Sequence, residues 1–221
     1  MPNTHYNNLP RLQIISSLSN IPMLSGPDVE KNLLNHVDFN DYPIPSFKSS
    51  TRVKQLISAP DSFSVLHSNI RSLSANHDEL TTLLSDLNSK FSIIGLTETK
   101  IKLDRSLTSN INISGYQFIS QPSHQNAGGV GFYIRDEYEF HCRDDLTTST
   151  NDFECLSLEI HSQSHSNIIC SVIYRHPNSN LANFNSYFTQ IMDKISSEKK
   201  YCILMGDFNI NLLNYESHSP T

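Results

Sequence analysis

NIICSVIYRHPNSNLANFNSYFTQIMDKISSEKKYCILMGDFN spans residues 167–209, and its reading decides the fold. Asn167–Tyr174 is a short apolar run of the kind that forms a buried strand. Asn180 then offers a helix N-cap, and Phe184, Tyr187, Phe188, Ile191 and Ile195 recur at helical spacing over Leu181–Ser196. A second apolar run, Tyr201–Met205, closes the unit. Strand, helix and strand in this order predict two parallel strands joined by a right-handed crossover. The same order occurs upstream. Ser62–Asn69 alternates as a strand with Phe63, Val65 and His67 on one side. A helix is expected over Asn76–Asn88, capped by Asn76 with Glu79 three residues on, and striped by Leu80, Leu83, Leu84 and Leu87. Phe91–Leu96 is its partner strand. Between the two units Tyr116–Ser120, Val130–Ile134 and Phe153–Ile160 read as further strands, so the class is α/β.

Composition narrows what such a body can be. The chain has 221 residues and a net charge of −6, with 37% hydrophobic and 17% charged residues. Too few charges are present for a coiled coil. No apolar run approaches the roughly 18 residues of a membrane span. The N-terminus lacks the basic-then-apolar pattern of a secretory leader. The expected setting is therefore intracellular, with no membrane partner. Cys142, Cys155, Cys170 and Cys202 are scattered without CxxC spacing, against both a disulfide framework and a zinc site; buried strand positions are expected for them.

Charge and proline divide the chain near residue 60. Residues 1–60 hold 5 Lys+Arg against 4 Asp+Glu, and residues 61–221 hold 11 against 18. Seven of the ten prolines lie in residues 1–60, and six of the seven glycines follow them. Residues 1–60 read as a disordered or linker-like lead-in, with one short helix at Asp28–Val37, and residues 61–221 as the folded domain. The acidic body argues against a simple basic nucleic-acid binder but suits a metal-dependent enzyme, because divalent cations need carboxylates.

Parallel neighbours bring their carboxyl ends to one edge, where α/β sheets hold ligands. The strand ends there are Asn69, Glu98, Tyr174-Arg175 and Asp207-Phe208-Asn209. Two carboxylates with amide partners make a hard-cation site that leaves room for a phosphate. An adjacent Asp can orient or deprotonate water, and Asn and Tyr can bind phosphate oxygens without adding charge. Simpler readings stand beside each of these. Glu98 can be a solvated strand-end carboxylate, Asp207 and Asn209 an Asx turn, and Tyr174 a rim aromatic. Arg175 is expected to pair with a carboxylate or a phosphate. Gly128, Gly129 and Gly131 lack phosphate-loop spacing and fit a tight hairpin entry. His161 and His165 sit in a Ser-rich loop with no shared ligand face.

The motifs themselves go further. HSNIRSL (67–73), GLTETK (95–100), AGGVGFYI (127–134), FECLSLEI (153–160), VIYRHP (172–177) and LMGDFNINL (204–212) occur in one order across residues 63–213. Together they resemble the endonuclease/exonuclease/phosphatase superfamily, and most of all the apurinic-type endonuclease domain of LINE-type (non-LTR) retrotransposons. The resemblance implies a four-layer α/β sandwich, two sheets flanked by helices, and a Mg2+-dependent nuclease that nicks DNA, with Mn2+ as the alternative cation and the nucleus as its place of action on chromosomal DNA. It implies roles as well: Glu98 as principal metal ligand, Asn69 in the metal and phosphate neighbourhood, Tyr174 bonded to the scissile phosphate, Asp207 activating water, and Asn209 orienting the phosphate and supporting Asp207. Glu154 recurs in the retrotransposon branch and is carried as a structural or substrate-edge residue.

The family also places a Ser/Asp-containing strand and a Ser-Asp-His downstream of GDFN. Neither is present, and His218 in ESHSPT follows GDFN too closely to serve. The expectation is a sandwich incomplete at its C-terminus, unstable at an exposed sheet edge, and without the reverse transcriptase that accompanies such domains. Two alternatives follow: a non-catalytic fragment or interaction protein reusing half the fold, and a small-phosphoester phosphatase of the same superfamily. No feature points to a protein partner or fixes an oligomeric state.

Overall fold

A computed structural model of the chain describes residues 12–16, 35–38, 63–87, 90–102, 111–161 and 167–210. The elements are β1 (Leu12–Ser16), β2 (Asn35–Asp38), β3 (Ser64–Asn69), α1 (Leu73–Leu87), β4 (Ile93–Thr97), β5 (Tyr116–Gln121), β6 (Val130–Arg135), β7 (Phe140–Cys142), β8 (Thr148–Ser149), β9 (Phe153–Ile160), β10 (Ile168–Arg175), α2 (Leu181–Glu198) and β11 (Tyr201–Asp207). One sheet has the order β2-β1-β3-β4-β6-β5, and the other β11-β10-β9-β7 with β8 also on β9. The pairs β3–β4 and β10–β11 are parallel, as the two strand-helix-strand units predict.

The alternation of side chains along each strand builds three apolar layers. Leu66, Ile94, Leu96 and Tyr133 leave the first sheet outward and pack on Leu73, Leu80, Leu83 and Leu87 of α1. Each such leucine, fully withdrawn from water, contributes about 2 kcal/mol. Val65, Ile93, Val130 and Phe132 point the other way and meet Leu156, Leu158, Val172, Ile203 and Met205 of the second sheet. Cys155, Ile169 and Ile173 face outward again, onto Phe184, Ile191 and Ile195 of α2. The result is helix, sheet, sheet, helix: the four-layer α/β sandwich.

Several boundaries differ from the sequence reading, most of them by one or two residues. Helix α1 begins at Leu73, three residues before the expected cap. Leu73 is buried and donates its N–H to the Thr99 carbonyl at 3.0 Å, so a tertiary bond sets the helix start. Asn76 instead sits within the first turn, and its amide donates to the Ile70 carbonyl at 2.7 Å. Strand β11 runs on to Asp207, because β10 continues beside it to Tyr174. Strands β1 and β2 lie within the first 60 residues, with β1 antiparallel to β3. Of the helix expected at Asp28–Val37, residues 28–34 lie outside the described residues, and 35–37 belong to β2. Helix α2 keeps its expected cap: Asn180 accepts from the N–H groups of Ala182 and Asn183 at 2.9 and 3.2 Å. Cys155 and Cys170 are buried, but Cys142 is exposed, since its strand is a three-residue edge.

Candidate active site

The register of the two sheets brings the sequence-selected residues together. In the first sheet Asn69 stands opposite Thr97, the residue before Glu98. In the second, Tyr174 lies between Asp207 on β11 and Glu154 on β9. Because both parallel pairs end at the same edge of the sandwich, the two rows face each other. The side-chain amide of Asn69 spans the gap. Its Nδ2 donates to Glu98 Oε1 at 2.8 Å and to Asp207 Oδ2 at 3.0 Å, while its Oδ1 accepts from the Arg71 N–H at 3.3 Å.

Unusual backbone lies at Glu98 itself and, two residues past Asp207, at Asn209. Glu98 and Asn209 have φ of 53° and 48°, the left-handed region that costs a non-glycine residue about 1–3 kcal/mol. The segment after Glu98 is held by N–H bonds from Thr99 and Lys100 to the carbonyls of Gly129 and Gly128, at 3.0 and 2.9 Å. The Asp207 turn is an Asx turn, with the Asn209 N–H on Asp207 Oδ1 at 3.2 Å. Gly206 precedes it at φ 152°, and a Cβ there would run into the Ile173 carbonyl of the adjacent strand. That contact is the physical reason for the glycine in GDFN.

Among the described residues Arg175 forms no ion pair with a carboxylate, one of the two partners its charge suggested. It is buried and donates to the carbonyls of Phe208, Asn209 and Ser179, at 2.8, 2.7 and 2.9 Å. Asn209 Nδ2 answers by donating to the Arg175 carbonyl at 2.7 Å. Arginine here serves as the clasp of the Asp207–Asn209 turn.

Electrostatics favour a cation. Among the described residues no Lys, Arg or His forms an ion pair with Glu98 or Asp207, and no group of three or more His, Cys, Asp or Glu side chains is placed as a ligand cluster. What is present is two carboxylates joined by one amide, a hard-oxygen donor set that suits Mg2+, which takes one or two protein carboxylates and keeps its waters. Burial, and then the nearby Glu98 and Asp207 carboxylates, push the Tyr174 hydroxyl far above its ordinary range. It therefore stays protonated and can only donate to an anion. Beneath Asp207, burial lowers His67 from 6.5 to about 4, opposed in part by the Asp207 charge. His67 Nε2 lies 3.4 Å from Thr97 Oγ1, and its Nδ1 has no partner among the described residues.

All five selected residues, Asn69, Glu98, Tyr174, Asp207 and Asn209, thus sit at one edge. Sequence reading missed the clasp role of Arg175, the neutral His67, and a buried group formed by Glu154, His176 and Ser123. Glu154 Oε1 accepts from Ser123 Oγ at 2.5 Å and lies 2.9 Å from His176 Nε2. The signal was available only as an adjacency: YRHP places Arg175 and His176 directly after Tyr174. His161, set aside as a ligand, pairs with His141 through ring nitrogens 2.9 Å apart; His165 lies outside the described residues.

The model of the Endonuclease/Exonuclease/phosphatase family matches residues 62–221. The chain belongs to this family. Among solved structures, it is similar to the endonuclease domain of TRAS1, a telomere-specific non-LTR retrotransposon, at 15% identity and a TM-score of 0.47, covering 67% of this chain and 60% of that one. It is similar also to the human Nocturnin catalytic domain with bound sulfate (19%, TM-score 0.45, 65% and 62% covered). A third is TDP2 from C. elegans (15%, TM-score 0.48, 71% and 49% covered). The chain spans between 49% and 62% of the length of these three structures. No curated protein matches it. Among the described residues no helix is long and apolar enough to cross a membrane.

Proposed function

We propose that the site hydrolyses phosphodiesters with a divalent cation, Mg2+ or Mn2+, and that its substrate is DNA, nicked by the endonuclease of a non-LTR retrotransposon. The observation that carries the reading is the Asn69 amide, which gathers Glu98 and Asp207 from two different sheets. Neighbours 29 and 138 residues apart in sequence serve no local purpose. The family match to the domain that does this work begins at residue 62, with β1 and β2 added to the edge of its first sheet, and action on chromosomal DNA would place it in the nucleus.

Glu98 would hold the cation, and Asn69 keeps Glu98 and Asp207 together at one place. When bound, the cation polarises a phosphoryl oxygen and stabilises the leaving oxygen. Asp207 accepts a proton from the attacking water, its carboxylate held in orientation by the Asn209 N–H on Oδ1 and the Asn69 amide on Oδ2. Tyr174, protonated at every working pH, donates to a phosphate oxygen. Asn209 supports Asp207 and stands beside the phosphate.

The test is nicking of supercoiled DNA by the purified chain with Mg2+. Glu98→Ala and Asp207→Ala should each lower the rate by on the order of 100–1000-fold. Nicking equal in wild type and both variants would sink the proposal. Preferential cleavage of soluble phosphoesters would move the assignment to the phosphatase branch.

A further inference from the structure

Among the described residues Glu154 is the fully buried acid whose partners explain it least. Its side chain is wholly buried, and Oε2 has no hydrogen-bond partner among them. A buried carboxylate with an orphan oxygen is costly and calls for a purpose. Its other oxygen takes the Ser123 hydroxyl and faces His176. Both oxygens lie against Gly128: a Cβ at that glycine would stand 2.7 Å from His176 Cε1 and 2.9 and 3.0 Å from the two Glu154 oxygens. With φ of 99°, Gly128 is held in a conformation only glycine adopts freely.

This group has a second connection, to the opposite sheet. The carbonyl of Gly128 accepts the Lys100 N–H at 2.9 Å, and that of Gly129 the Thr99 N–H at 3.0 Å. Ser123 adds its own backbone bond, donating to the Ile101 carbonyl at 3.2 Å. Its hydroxyl proton goes to Glu154, with the Ala127 carbonyl a competing acceptor at 2.9 Å, and its oxygen accepts the Gln125 N–H at 3.0 Å, which shapes the loop between β5 and β6. So the loop is gripped from the second sheet by Glu154 and His176, and itself grips residues 99–101. Those residues follow Glu98, whose left-handed backbone needs an external hold.

We infer that Glu154, with His176 and Ser123, is a positioning group for Glu98: it fixes the Gly128–Gly129 turn, which clamps the strained Glu98–Lys100 segment and aims the Glu98 carboxylate at Asn69. The link to metal binding rests on the function proposed above; the clamp does not. Outer groups that orient a metal ligand typically govern metal affinity by 10–100-fold.

The experiment uses the full chain, with amide hydrogen exchange and Mn2+ binding as readouts. In Glu154→Ala the amides of Thr99 and Lys100 should exchange at least about tenfold faster, while those of the β4–β6 ladder keep their wild-type rates. Mn2+ affinity should fall by about 10–100-fold, and Glu154→Gln, which keeps the acceptor for Ser123, should restore most of both. Ser123→Ala removes the 2.5 Å donor to Glu154 together with the hydroxyl's contacts to Ala127 and Gln125 inside the loop, and should give the same selective pattern if Glu154→Ala fails to fold. Unchanged exchange at Thr99 and Lys100 overturns the inference, and so does a uniform rise across the sheet, which would mark a general loss of stability. Selective exchange in a chain whose wild type binds no Mn2+ upholds the clamp and removes the metal reading of Glu98.

Discussion

Strand β9 carries a glutamate near each end, and the two ends of the sandwich treat them differently. Glu159 accepts from Arg143 Nη1 and Lys200 Nζ, both at 2.9 Å, and from Asn167 Nδ2 at 2.8 Å. Arg143 also bonds Asp145 at 2.8 Å and Glu198, and Lys194 reaches Asp145 at 2.6 Å. Here every acid meets a base. At the other end Glu154 has a histidine, a hydroxyl and one bare oxygen. Nearby, Glu98 and Asp207 share a single amide. The matched end is built for stability. The unmatched end keeps negative charge uncompensated where a cation and a phosphate would meet it.

The largest effect should come from breaking the matched end. Arg143→Ala leaves the buried Glu159 with Lys200 and Asn167 alone and strips Asp145 and Glu198 of their guanidinium, at a cost of about 3 kcal/mol. Discounting Asp145 and Glu198, which are partly exposed, keeps the figure from being larger. Urea denaturation measures it, and a loss below about 1 kcal/mol would erase the contrast between the ends.

Next comes acid, acting through His67. Its folded-state value of about 4 lies below the 6.5 of the unfolded chain. The unfolded state therefore binds a proton that the folded state refuses. Stability is full above pH 6.5 and falls by roughly 3 kcal/mol as pH drops toward 4. His67→Gln should flatten that slope by about one proton. Glu159 titrates in a different window. Burial raises its value, but the bonds from Lys200, Asn167 and Arg143 outweigh burial and lower it from 4.5 to about 2. Its stabilisation is present above pH 4.5 and is lost below that, so the two ends separate on one pH curve.

Two smaller effects sharpen the unmatched end. Mg2+ at about tenfold over its Kd should stabilise the wild-type chain by about 1.4 kcal/mol and leave Glu98→Ala unchanged; thermal unfolding with and without the ion decides. Asp207→Asn, measured without divalent ions, should raise stability by about 1 kcal/mol by relieving repulsion with Glu98. A drop of similar size would mean that the Asn69 bridge outweighs that repulsion.

Much of this was legible in the sequence. The two strand-helix-strand units, the Asn180 cap and the strand-end positions of Asn69, Glu98, Tyr174, Asp207 and Asn209 at one edge stand where periodicity and motif order put them. The start of α1 was not legible, because it is set by a bond from Leu73 to Thr99 rather than by a local cap. Nor was Arg175, whose charge suggested an acidic partner and whose burial gave it three carbonyls instead. The difference has one physical cause. Apolar spacing and capping act between residues a few positions apart, so the chain alone determines its helices, its strands and the order Asn69, Glu98, Tyr174, Asp207, Asn209. A hydrogen bond between Asn69 and Asp207, a histidine held neutral between two sheets, and a glutamate left with a bare oxygen exist only once the sheets face each other. Those were decided by the tertiary structure, because only packing sets which distant groups meet and how much water is left between them.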